Sequence, residues 1–124
     1  MTCSRVLWVL VLVVGVALPA AALAHRPATK SERAAIRQAV VRQHQVTKTQ
    51  AACQTVTIST VNSRYATVTW PRKLSRACLR VAANGVIIEH RTKRGWTLVT
   101  DGSDLRCPIK GVPARVARDL KVCA

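Results

Sequence analysis

The period of the apolar positions changes several times along this chain, and each change marks an element. From Val6 to Leu18 almost every residue is apolar. Ala35, Ile36, Ala39 and Val40 then recur at the i, i+3, i+4 spacing of one helix face. Thr29-Lys30-Ser31-Glu32 before them fits the capping box T-x-x-E, so the spacing predicts a helix from about residue 30 to Gln43. Lys30, Arg33, Arg37 and His44 flank that face as a basic ridge. Residues 25–28, with Pro27, read as a loose leader, and residues 44–52 show no clear period and read as a linker.

Beyond residue 53 the period falls to two. CQTVTIST (53–60) is β-branched with Val56 and Ile58 on one side, and RYATVTW (64–70) repeats the theme with Ala66, Val68 and Trp70. Val61-Asn62-Ser63 supplies the turn between them, and Pro71 ends the second strand. After a basic loop over residues 72–76, Asn84-Gly85 is either a tight turn or the entry to the next hairpin. That hairpin is VIIEHRTKRGWTLVT (86–100). Pairing Val86 and Ile88 with Trp96 and Leu98 predicts one strongly apolar face, with Thr92 to Gly95 as the turn and Ile87 and Val99 directed to the other side. Asp101-Gly102-Ser103-Asp104 is a turn cluster. Val112-Pro113 opens a short helix whose stripe is Val116, Leu120 and Cys123, with Arg115 and Asp119 at the i, i+4 spacing of an ion pair.

The layout predicted is α+β: an N-terminal helix packed on a curved four-stranded antiparallel sheet, then a short C-terminal helix. The sheet side carrying Ile87 and Val99 then needs its own cover, from the C-terminal helix or a second copy.

Composition adds compartment and charge. Arg5 followed by the apolar run, Pro19 and the small residues of Ala22-Leu23-Ala24 reads as a signal peptide over residues 1–24. An uncleaved anchor is the alternative. Cleavage before His25 leaves one domain, residues 25–124, with 19 of the 20 Lys and Arg residues against all five acids, a formal +14. Such a charge favours encounters with polyanions. Cys53, Cys78, Cys107 and Cys123 remain, which in a small exported chain reads as two disulfides with three connectivities open. Spacing favours Cys53 with Cys78 and Cys107 with Cys123. No pair has C-x-x-C spacing and His25, His44 and His90 are scattered, so neither a metal nor a cofactor is expected.

The order of elements, with VIIEHRTKRGWTLVT, the following DGSDLRC and the ending GVPARVARDLKVC, resembles small exported proteins of high-GC Gram-positive bacteria with a cystatin-like or nuclear-transport-factor-2-like layout. The resemblance covers about residues 31–123 and implies a fold, not an activity, because such folds host enzymes, inhibitors and binding modules alike.

The chemistry is sparse. Glu89 and His90 are adjacent on a strand and point to opposite faces, so they cannot act together, and no G-x-S-x-G elbow is present. The cystatin inhibitory motif Q-x-V-x-G meets Gln54-Thr55-Val56-Thr57-Ile58, which lacks the glycine. What remains is cationic: Arg72, Lys73, Arg76 and Arg80 near Trp70, and Arg91, Lys93 and Arg94 near Trp96. Guanidinium groups suit phosphates. The scarcity of aromatic platforms argues against nucleic acid. The expected partners are an anionic cell-envelope polymer, lipid headgroups or a protein, met outside the cell or at its wall, with no transmembrane segment after cleavage. A small enzyme or ligand carrier with a pocket between helix and sheet, and a cystatin-like inhibitor, are the alternatives.

Overall fold

The computed structural model describes residues 24–43 and 45–124; the expected signal peptide up to residue 23, and His44 of the basic ridge, lie outside them. The element order is β1 (Arg26–Pro27), α1 (Lys30–Arg42), α2 (Lys48–Cys53), β2 (Thr55–Ile58), β3 (Tyr65–Thr69), α3 (Arg76–Leu79), β4 (Val86–Thr92), β5 (Gly95–Gly102) and α4 (Ala114–Asp119). The five strands form one antiparallel meander in the order β1-β2-β3-β4-β5. The α+β class therefore holds, while the sheet has five strands instead of the four expected. The extra strand is the stretch expected to be a loose leader: Arg26 pairs with Ile58 and Pro27 with Thr57. Pro27 is tolerated because β1 is an edge.

Thr29 caps α1 through a complete capping box with Glu32. The same chemistry recurs at Thr47, whose hydroxyl accepts from the Gln50 N–H while the Gln50 side chain accepts from the Thr47 N–H. This second box nucleates α2 inside the segment expected to be a linker. With six residues, α2 is too short to show a helical period, but T-x-x-Q was present to be read. Ser75 likewise caps the short α3 inside the expected basic loop.

Two cores lie on opposite faces of the sheet. On one, Ile36, Ala39 and Val40 of α1 and Ala51 of α2 pack on Val56, Ile58, Ala66, Val68, Ile87 and Trp96, with Leu98 against them. On the other, Val116, Ala117 and Leu120 of the α4 segment, with Ile109 and Val112, cover Tyr65 and Ile88, joined by Val99 and Cys123. The expected face is thus corrected: Ile87, not Ile88, shares a side with Trp96 and Leu98. Only Lys93 and Arg94 stand outside the ladder, and Gly95 closes the turn at φ +101°. Thr92 therefore pairs with Gly95, Arg91 with Trp96 and Glu89 with Leu98, which places odd positions of β4 opposite even positions of β5. At the bulge between Ile88 and Glu89 the ladder passes over Val99, which by alternation from Trp96 and Leu98 lies on the α4 side.

Disulfides join Cys53 to Cys78 and Cys107 to Cys123, with Cα atoms 5.6 and 6.1 Å apart. The first ties α3 beside α2; the second fastens the C-terminal segment to the loop before α4. Two such bonds suit an oxidising, extracellular environment. No helix among the described residues is long and apolar enough to cross a membrane.

Candidate anion-binding surface

All seven cations singled out in the sequence are exposed: Arg72, Lys73, Arg76, Arg80, Arg91, Lys93 and Arg94. The fold separates them into two groups. Because Val68 pairs with Ile87 and Tyr65 with His90, Trp70 and the loop after it leave the sheet at the start of β4, whereas Arg91, Lys93 and Arg94 sit at its far end. Arg91 lies over the ring of Trp96, 5.9 Å from its centroid. Trp96 is itself buried in the core, so it anchors that arginine instead of offering a free platform.

The first group belongs to a helical layer. The Cys53–Cys78 bond and a hydrogen bond from Gln50 Nε2 to the Val81 carbonyl (3.1 Å) hold the α3 segment against α2. There Arg76 and Arg80 flank Leu79, a large apolar side chain left 61% exposed. Between α1 and α2 runs a surface groove of about 530 Å³, lined by Arg37, Gln38, Val41, Arg42, Lys48, Ala51 and Ala52. Val41, Ala51 and Ala52 make its floor apolar, and Arg37, Arg42 and Lys48 bring three cations to it. Arg37 spans the two helices: its guanidinium donates to the carbonyls of Gln54 (2.7 Å) and Ala52 (3.3 Å), while its Nε–H, although buried, has no acceptor. Burial, with the nearby Arg33 second, lowers the pKa of Arg37.

Almost no acid offsets these charges. The only ion pair among the described residues is Arg26 with Glu32, at 2.8 Å. The hydrogen bond from Arg26, opposed by burial and reinforced by Thr29, holds the Glu32 carboxyl at about 2. Asp119 does not pair with Arg115 as the i, i+4 spacing suggested. It accepts instead from Ser59 Oγ (2.6 Å), the Thr60 N–H (2.8 Å) and the His25 N–H (2.9 Å). Those bonds fix both carboxylate oxygens, which one exposed arginine could not match. Glu89 is fully buried under α1. Asp101 and Asp104 are the two remaining acids, both exposed.

Glu89 is the residue whose importance the sequence concealed. Its side chain is 0% exposed and neither carboxylate oxygen has a hydrogen bond. Burial raises its pKa to about 7 against the opposing pull of the Gln43 side chain and of Arg42. An isoleucine-rich strand gave it away only indirectly: in VIIEH the acid follows Ile87 and Ile88, which are buried on opposite faces of the sheet. On the other face His90 stacks on Tyr65, ring centroids 4.4 Å apart, and the Tyr65 hydroxyl donates to the Gly111 carbonyl (3.1 Å). His90 and Glu89 are thus held on opposite sides of the sheet. The space between α1 and the sheet is filled by Ile36, Ala39, Val40, Trp96 and Leu98. Residues 55–58 of the would-be inhibitory motif lie in β2, laddered to neighbours on both edges, and Gln54 is buried. Among the described residues no group of three or more His, Cys, Asp or Glu is placed to hold a metal ion. No family model, no curated protein and no solved structure matches this chain.

Proposed function

We propose that this chain is an exported, non-catalytic binding module for anionic envelope surfaces, and that the α1–α2 groove seats an anionic lipid. One observation carries the reading: an apolar groove of about 530 Å³ is bordered by Arg37, Arg42 and Lys48 with no carboxylate among its lining residues. A purely polyanionic polymer needs the cations but has no use for the floor of Val41, Ala51 and Ala52. An anionic lipid uses both: its headgroup meets the guanidinium and ammonium groups, and its acyl methylenes cover the floor at ~0.8 kcal/mol for each one buried. Each Lys or Arg held near an anionic membrane adds about 1 kcal/mol. Arg76, Leu79 and Arg80 sit in the same helical layer and extend the contact, while the formal +14 of residues 25–124 gives long-range attraction.

Vesicle flotation tests it. In about 0.15 M salt, where exposed charges are screened beyond a Debye length, vesicles containing phosphatidylglycerol are expected to retain the protein and phosphatidylcholine vesicles to leave it free. Retention by heparin alone would assign the surface to polymers. Retention by neither would leave the charge as a device for solubility.

A further inference from the structure

We infer that removal of the leader after Ala24 creates a binding partner for Asp119: the new α-ammonium of His25 docks on the Asp119 carboxylate and locks the first strand to the last helix. This rests on the reading of the chain as exported, and not on anion binding.

The site is already formed around the His25 backbone nitrogen. That nitrogen donates to Asp119 Oδ1 at 2.9 Å, and the ring Nδ1–H of the same residue donates to the Asp119 carbonyl at 2.9 Å. The other carboxylate oxygen is held by Ser59 Oγ and the Thr60 N–H, at 2.6 and 2.8 Å. Ser59 is fully buried. Burial works to raise the Asp119 pKa, but the Ser59, His25 and Thr60 hydrogen bonds overcome it and hold it at about 2. Asp119 is therefore an anion throughout the physiological range. Yet in a chain with 20 Lys and Arg residues it has no cationic side chain as a partner among the described residues. What lies against it is the atom that leader removal turns into a cation.

The backbone points the same way. His25 has φ +43°, a left-handed conformation that an ordinary residue avoids because the preceding carbonyl and its own Cβ crowd each other. A chain that begins at His25 has no preceding carbonyl, so that crowding disappears. In the cleavage, water splits the Ala24–His25 peptide bond under an export peptidase. The carboxylate leaves with Ala24, and the amine left on His25 takes up a proton to become an ammonium. A bond from a neutral amide to the carboxylate becomes one between two opposite charges, which adds their direct attraction to the hydrogen bond already there. The gain falls where it is useful: β1 is two residues long and edge-paired, so its hold on β2 depends on the anchor just before it.

The test compares the mature chain beginning at His25 with one retaining Ala24, each with and without Asp119→Asn. Ala24 is exposed, so the extension is accommodated; it leaves the amide hydrogen bond in place while moving the ammonium one residue away from the carboxylate and into solvent. The mature chain is expected to melt about 5 °C above the extended one near neutral pH. That gap closes as pH rises through the α-amino pKa, itself raised above its ordinary value of about 8 by the carboxylate. In the Asp119→Asn pair the gap is expected to vanish. Intact mass of the exported protein is expected to start at His25. Equal melting of the two Asp119 chains, a gap that survives Asp119→Asn, or a mature mass starting elsewhere would each overturn the inference. Vesicle binding has no part in these readouts, so loss of one reading leaves the other standing.

Discussion

Glu89 faces Leu98 directly across the β4–β5 ladder, buried on the same side as Trp96 and with no hydrogen bond to either carboxylate oxygen. A charge in that position is costly, and burial accordingly lifts its pKa to about 7. In the unfolded chain the same group titrates near ~4.3. Between those values the folded state binds the extra proton, so stability declines as pH rises and levels off above about 7, a loss of roughly 4 kcal/mol in all. Glu89→Gln is expected to flatten the curve of melting temperature against pH between about 4.5 and 7 and to leave the mutant the more stable form at pH 8. A parallel curve for mutant and parent would show that Glu89 titrates as in water.

Gly85 stands at φ +121°, and a Cβ built there would lie 3.2 Å from the Gly102 carbonyl oxygen, backbone against backbone. Neither the angle nor the neighbour can yield cheaply. Gly85→Ala should cost about 1 to 3 kcal/mol, read as a shift in the urea midpoint. A neutral result would mean that the start of β4 is free to re-form.

The Cys53–Cys78 bond closes a separation of 25 residues and is the covalent link holding the exposed α3, with Arg76, Leu79 and Arg80, against α2. Replacing both cysteines by serine should lower stability by about 3 kcal/mol. Hydrogen exchange is expected to rise first in residues 76–81, ahead of the sheet, because α3 buries none of its own residues.

The two cationic groups should separate by ligand. Arg91→Gln with Lys93→Gln and Arg94→Gln, at the far end of the sheet, is expected to lower the salt needed to elute from heparin while leaving vesicle binding within about twofold. Arg42→Gln with Lys48→Gln at the groove should weaken vesicle binding by about tenfold or more, at ~1 kcal/mol per cation. Equal losses in both assays would indicate that net charge alone governs binding.

The sequence made much of this fold legible, and the misses have definite causes. Thr29 and Glu32 announced α1, and alternation at Val56/Ile58 and Ala66/Val68 announced two strands, because one buried face leaves a strict period. The same rule failed on β4, where Ile87 and Ile88 face different cores and both are buried. With apolar residues on both sides, alternation carries no register, and the choice fell to turn length, which was read as four residues instead of two. β1 and α2 were missed because two and six residues are too short for a period to show. The seven exposed cations were legible as residues, but their division between two ends of the sheet depends on the β3–β4 register. The groove cations Arg42 and Lys48 were passed over because α2 was read as a linker.

The claim that an anionic lipid occupies the α1–α2 groove is tested most directly by altering its floor without altering charge. Ala52 is exposed and Val41 half-buried, so Val41→Gln with Ala52→Gln makes the floor polar while keeping every cation, and Ala52→Gln alone guards against a folding defect. Binding to phosphatidylglycerol vesicles is expected to fall by about tenfold, the loss of one or two buried methylenes' worth of contact, with heparin elution unchanged. Undiminished vesicle binding by both variants would contradict the account.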